Sequence, residues 1–242
     1  MTRLSVNINK IALLRNSRGS NIPDVLQFAI DCERFGAQGI TVHPRPDQRH
    51  ITRKDVYDLK EVVSTELNIE GYPSADFLKM VKEVQPNQCT LVPDSAHQLT
   101  SDHGWDCVKQ KDFLKEVVSQ LKDKNIRVSI FVDANPWQIE AAKLIGTDRV
   151  ELYTGPYAHH YPTDKIAAVQ PYVETAQICT ELALGVHAGH DLNLDNLKFL
   201  KQNIPALLEV SIGHALVRDC LYYGLENTIQ MYRRQLEESE GL

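Results

Sequence analysis

Eight short apolar runs, each ending on a polar or ionisable residue and each followed by a stretch of helical periodicity, organise the chain from Leu4 to Ile212. They are Leu4–Asn9, Gly39–His43, Leu67–Gly71, Gln88–Val92, Arg127–Asp133, Arg149–Tyr153, Gly185–His187 and Leu208–Ile212. Strands that alternate with helices at this spacing pair in parallel. Eight such units predict an α/β protein, a (β/α)8 TIM barrel, in which every strand's C-terminal end opens on the face that carries the chemistry. At or just past those ends lie Asn7, Asn9, His43, Glu70, Asp94, Asp133, Glu151, His187, His190, Ser211 and His214.

Periodicity and capping chemistry place the helices. Pro23 opens one that runs to about Phe35, with Val25, Phe28, Ala29 and Cys32 on one face and Gly36 as its terminator. Thr52 and Asp55 have capping-box spacing, with Asp in place of the usual Glu, ahead of Val56, Leu59, Val62 and Val63. Ser74–Glu83, Lys111–Lys124, Pro136–Ile145, Thr163–Leu182, Leu194–Gln202 and Ala215–Tyr223 continue the alternation, and Glu226–Glu238 adds a final amphipathic helix. The connections Lys10–Ile22, Pro93–Trp105 and Gly155–Pro162 are longer than ordinary βα loops. Long loops on the catalytic face serve as lids or substrate contacts.

The length of 242 residues suits one barrel domain spanning residues 1–242. A net charge of −6 without any basic stretch argues against nucleic acid and anionic membranes as partners and favours small molecules. The N-terminus turns polar too soon for a signal peptide, and no apolar run has the length of a membrane span, so a cytoplasmic location is expected. Cys32, Cys89, Cys107, Cys179 and Cys220 are odd in number and widely spaced, which reads as reduced, mostly structural thiols.

The richest constellation is Thr41 to Ile51, where His43, Arg45, Arg49 and His50 leave the second strand together. Imidazole titrates near neutrality and guanidinium forks onto phosphate oxygens, so the segment suits an anion, although a merely solvated basic loop has the same composition. Glu70 sits where a strand enters the barrel mouth, and a carboxylate there is paired, solvated or used as a base. Val186-His187-Ala188-Gly189-His190 and Ser211-Ile212-Gly213-His214-Ala215 fall after strands seven and eight, where barrels hold phosphate. Glu151 with Thr154 and Asp133 add groups to the same rim, though Asp133-Ala134-Asn135-Pro136 also makes a good turn into a helix.

Taken in order, Val6-Asn7-Ile8-Asn9 with Leu14 to Gly19, Gly39 to His43, Arg49 to Thr52, Asn68-Ile69-Glu70, Leu91-Val92-Pro93, Glu151 to Gly155, Ala188-Gly189-His190 and Ile212 to Ala215 resemble the signatures of the pyridoxine 5′-phosphate synthases. The likeness covers essentially the whole chain. It implies a barrel with additional helices, dimers assembled into a homo-octamer, and condensation of 1-deoxy-D-xylulose 5-phosphate with 3-amino-2-oxopropyl phosphate. The expected products are pyridoxine 5′-phosphate, phosphate and water, with no cofactor and no metal.

By the same resemblance His43 and Glu70 are proton acceptors, His190 a proton donor, and Glu151 a group that stabilises charge in the transition state. Asn9, Lys10, Arg45, His50 and Thr100 fall on the deoxyxylulose phosphate, and Asn7, Arg18, Asp191, Gly213 and His214 at positions for the aminooxopropyl phosphate. Arg15 and Arg18 are expected in a flexible segment that closes over bound anions. Three departures stand out: Asn9-Lys10 replaces an Asp-His pair, Pro44 and Pro46 follow His43, and Asp191 replaces the usual Gly. Asp191 is expected to tolerate positive φ and to face solvent or a cation such as Lys10. Two other classes are carried alongside: a metal-dependent barrel hydrolase using His187, His190, Glu70, Asp133 and Asp94, and a phosphate-binding barrel without catalysis.

Overall fold

The computed structural model describes residues 1–94 and 98–237, and its eight parallel strands close into a barrel in sequence order. In chain order, β1 (Arg3–Asn7) leads through α1 (Asn9–Asn16) and α2 (Val25–Arg34) to β2 (Gly39–Val42), and α3 (Arg53–Val62) leads to β3 (Leu67–Gly71). Next come α4 (Ala75–Val84), β4 (Gln88–Leu91), α5 (Lys111–Lys122), β5 (Arg127–Val132), α6 (Pro136–Ile145) and β6 (Arg149–Tyr153). The chain continues with α7 (Gly155–His160), α8 (Lys165–Glu181), β7 (Gly185–Gly189), α9 (Leu197–Asn203), β8 (Leu207–Ile212), α10 (His214–Tyr223) and α11 (Leu225–Leu236). Part of the expected loop Pro93–Trp105, and the last residue of the expected helix Glu226–Glu238, lie outside the described residues.

Side-chain chemistry decides where helices begin. Asp24 accepts hydrogen bonds from the amides of Leu26 and Gln27, so α2 starts at Val25 and not at Pro23. The Thr52–Asp55 capping box forms as read, and Asn135 caps α6 with Pro136 in its first turn. Two connections read as loops are helical. Asn9–Asn16 is α1, because Ile11, Ala12 and Arg15 at helical spacing find a buried face, and Gly155–His160 is the short α7, which buries Tyr157.

The strands divide their residues by parity. Leu4, Val6, Ile40, Val42, Ile69, Leu91, Ile130, Leu152 and Val210 are buried in the core cluster that includes the helices' apolar residues. The alternate positions line the barrel's interior, and there the residues are polar. Ser5 Oγ meets Thr41 Oγ1 at 2.7 Å, Asn68 Nδ2 donates to Thr41 Oγ1 at 3.4 Å, and Thr90 Oγ1 donates to Asn68 Oδ1 at 3.0 Å. Barrel interiors are ordinarily layers of Val, Ile and Leu, so this is a departure. At the floor, Arg3 and Arg127 both pair with Glu66, Arg149 Nη1 meets Glu209 Oε2 at 2.8 Å, and Gln88 Oε1 accepts from Arg127 Nε at 2.8 Å. Although burial opposes it, Arg127 and Arg3 hold Glu66 below the usual carboxylate range.

Candidate active site

A cavity of about 500 Å³ opens at the C-terminal mouth of the barrel. Asn7, Asn9, Lys10, His43, Arg45, His50, Glu70, Thr100, Glu151, His190, Asp191, Gly213 and His214 all line it. Arg18 is the exception: it is exposed, past the end of α1, and does not line the cavity. Its neighbour Arg15 is not a mobile anion ligand either. It is buried, donates to both oxygens of Asp55 at 2.6 and 2.8 Å, and reaches the carbonyl of His50 at 3.3 Å. Asn16 Nδ2 adds a bond to the same carbonyl at 2.8 Å. The end of α1 thus fastens the loop that presents Arg49 and His50, which are fixed from beneath.

That loop is no solvated basic surface. His43 is 7% exposed and Arg45 is 5% exposed. Asn9 Oδ1 accepts the His43 amide at 2.9 Å, while Asp94 Oδ2 accepts from Arg45 Nη2 at 2.6 Å and from Ser101 Oγ at 2.7 Å. Asp94 and Ser101 therefore hold Arg45 in place, a role that residue type and spacing alone do not reveal. Burial, together with Arg45, His50 and Arg49, pushes His43 well below the usual imidazole range. Burial and the same arginines push His50 down to about 4. Both rings are neutral at pH 7.

Glu70 Oε2 lies 3.9 Å from His43 Nδ1, too far for a hydrogen bond. Burial, then Asp94 and Glu209, push Glu70 up, against the pull of Arg45, so its carboxyl holds a proton at neutral pH. Glu151 is raised for the same reason, by burial and then by Glu70 and Glu209. His187 lies beneath it in the barrel interior, fully buried, with Nε2 3.3 Å from Glu151 Oε2 but misaligned for a hydrogen bond. Burial, with Arg149 and Arg127, drives His187 down to about 3.

Two glycines give the mouth its shape. A Cβ on Gly189 would stand 2.2 Å from Glu151 Oε1, and one on Gly213 would crowd Asn7 Cβ and its carbonyl oxygen at 3.1 Å. Gly213 precedes α10, so the helix's free amides face the cavity wall beside Asn7, Ser211 and His214. Free amides at a helix start attract an anion. Lys10, Arg45 and Arg49, with the neutral His50 among them, supply a second wall that is cationic.

The Asp191 side chain is half-exposed, within the expectation that it face solvent or a cation, but its partner is His190 and not Lys10. Its Oδ2 lies 3.0 Å from His190 Nδ1, and that bond holds its carboxyl below the ordinary range. Its φ of 60° is in the left-handed region, as anticipated. Asp133 takes the structural role, accepting the Gly104 amide at 3.2 Å. The residues that a metal-dependent reading needs do not converge: no three His, Cys, Asp or Glu side chains among the described residues are grouped to hold an ion. Nor is any helix among them long and apolar enough to cross a membrane.

Thiamine phosphate pyrophosphorylase from Pyrococcus furiosus superposes with a TM-score of 0.63 at 12% identity, covering 99% of this chain and 97% of that one. The barrel of KGPDC from Streptococcus mutans gives 0.65 at 10% identity over 98% and 97% of the two chains. At such identities the likeness shows the fold alone. The sequence comparisons reach further. The family described as pyridoxal phosphate biosynthesis protein PdxJ matches residues 4–238. A protein of Cytophaga hutchinsonii named pyridoxine 5′-phosphate synthase is 57% identical, over 98% of this chain and 100% of its own length. One of the same name from Porphyromonas gingivalis is 58% identical over 98% and 99%. With the family match and these relatives over nearly the whole chain, the chain belongs to the pyridoxine 5′-phosphate synthase family of biosynthetic enzymes.

Proposed function

We propose that this chain condenses 1-deoxy-D-xylulose 5-phosphate with 3-amino-2-oxopropyl phosphate to give pyridoxine 5′-phosphate, inorganic phosphate and water. The observation that carries this reading is one cavity in which buried acid–base groups lie between two anion-binding walls. Two phosphorylated substrates need two such walls. Ring formation needs an amine to add to a carbonyl, protons to leave carbon next to carbonyl or imine, and repeated loss of water or phosphate. The substrate's own amino group forms the imine, so the scheme calls on no organic cofactor.

The protonation pattern supports one order of work. His43, neutral at pH 7, accepts the first proton from carbon. Glu70 begins as a carboxylic acid, passes its proton to a leaving hydroxyl, and becomes an acceptor afterwards. Glu151, neutral like Glu70, stabilises charge in the transition state by accepting a hydrogen bond from the protonated imine on its carbonyl oxygen, and His190 protonates a leaving oxygen. Arg45, held by Asp94, takes the deoxyxylulose phosphate with His50, Thr100, Asn9 and Lys10. Asn7, Gly213, His214 and the start of α10 take the aminooxopropyl phosphate.

The decisive test incubates the protein with both phosphates, with each omitted in turn, and detects pyridoxine 5′-phosphate. Product is expected only when both are present; folded protein that makes none overturns the reading. The proposal extends to a homo-octamer built of dimers, supported by the exposed Leu221, Tyr222 and Tyr223 at the end of α10. Light scattering that gives anything other than eight chain masses refutes it.

A further inference from the structure

The geometry points to Asp191 as a positioning residue that fixes which ring nitrogen of His190 carries the mobile proton. The inference rests on the reading of His190 as proton donor. His190 and Asp191 are successive non-glycine residues in the left-handed region, with φ of 85° and 60°. Residues with a Cβ avoid that conformation unless their surroundings hold it. Here they are held: Thr154 Oγ1 donates to the carbonyls of Gly189 at 2.6 Å and His190 at 2.5 Å, and Asn196 Nδ2 donates to that of Asp191 at 3.2 Å.

The turn brings the Asp191 carboxylate to His190 Nδ1 at 3.0 Å. Thr100 Oγ1 occupies the other nitrogen, Nε2, at 3.0 Å, and the Tyr153 ring stands edge-on at 5.1 Å. An ionised carboxylate only accepts, so Nδ1 must carry the hydrogen of the neutral ring. Nε2 is then left with a lone pair that accepts from Thr100 and can take up a proton the substrate gives up; the imidazolium so formed, its Nδ1–H still on the Asp191 carboxylate, returns that proton from Nε2 to the leaving oxygen. A free imidazole prefers its hydrogen on Nε2, so without Asp191 the ring would present the wrong tautomer. The Asp191 side chain is 53% exposed. Its effect is therefore expected at about tenfold, well short of the roughly 10⁴-fold cost of disturbing a buried triad carboxylate.

Asp191→Gly suits the test, because glycine accepts positive φ and removes only the carboxylate. The hydrogen-bearing nitrogen of His190 is read at pH 8 from ¹⁵N imidazole spectra, the signal being assigned by its loss in His190→Gln. The Nδ1–H form is expected in the parent and a shift to Nε2–H in Asp191→Gly. With it, kcat should fall about tenfold while KM for both phosphates stays within about threefold, and Asp191→Asn should lie between. An unchanged tautomer in Asp191→Gly, alongside an inactive His190→Gln, overturns the proposal and leaves the donor reading intact. A raised KM with kcat unchanged overturns it too. Wild-type turnover in His190→Gln overturns the donor reading, and with it the catalytic role given to Asp191.

Discussion

The two ends of the barrel are built from the same charged residue types and arrange them in opposite ways. At the floor, Arg149 and Glu209 meet at 2.8 Å, and Glu66 is gripped by Arg3 and Arg127. At the mouth, His43 and Glu70 stop at 3.9 Å, and Glu151 and His187 come within 3.3 Å without a hydrogen-bonding angle. Both ends pay for burial: Glu209 is pushed up and Arg149 down despite their contact. The floor answers with partners; at the mouth Asp94 answers Arg45 in that way, whereas His43, Glu70, Glu151 and His187 stay neutral and available. Completed pairs make structure, and incomplete ones leave protons to move.

The floor should show the largest effect. Glu209→Ala leaves the Arg149 guanidinium, 13% exposed, without its carboxylate, and is expected to cost about 3 kcal/mol in urea unfolding. Turnover per folded molecule should stay within about threefold; a stable but inactive variant would erase the distinction between the ends. Glu70→Gln and His43→Asn should do the reverse, lowering turnover ~10²-fold or more with the unfolding midpoint held or raised. Near wild-type turnover with circular dichroism unchanged would remove either residue from the chemistry.

A third effect appears in stability against pH. His43, His50 and His187 titrate below 6.5 when folded, so the unfolded chain binds protons first and their contribution is lost as pH falls below that value. Glu70, Glu151 and Glu209 titrate above 4.5 when folded, so theirs is lost as pH rises past it. The two sets offset each other between about 4.5 and 6.5, and stability should decline on both sides by about 1.4 kcal/mol per net proton per pH unit. Urea midpoints that climb steadily across that window would show carboxyls titrating as they do in water. The smallest effect belongs to Arg18, outside the cavity. Arg18→Ala should change either KM by less than about threefold, under 1 kcal/mol. A tenfold rise confined to aminooxopropyl phosphate would show instead that its segment closes over the mouth.

That His43, Glu70, Glu151 and His190 gather at one mouth was legible, because period-two alternation and a fixed order of βα units leave little freedom in where they point. Local capping was legible at Thr52 and Asn135 for the same reason: cap chemistry acts over three residues. What escaped depends on distance in sequence. Arg15 reads as a loop cation until Asp55, far along the chain, comes beside it, and Asp94 reads as one more rim carboxylate until Arg45 does. The polar interior was hidden in plain view: Ser5, Thr41, Asn68 and Thr90 sit within runs that look apolar on average, and only the closed barrel turns alternate positions toward one another. The pairing of Asp191 with its own neighbour was missed because it needs two left-handed residues in succession.

The Asp55 carboxylate accepts three bonds, two from Arg15 and one from the Thr52 amide, and its own amide donates the reciprocal bond to Thr52 Oγ1. Two helices and the loop between Arg49 and Thr52 therefore share a single fastening point. Their local opening is expected to be one cooperative event, so the amides of Ile51 and Thr52 should exchange with solvent at the rate set by the last turn of α1. Removing the carboxylate in Asp55→Ala would let the three segments fray independently, and the wall proposed to receive a substrate phosphate would lose its order before the barrel lost any of its own.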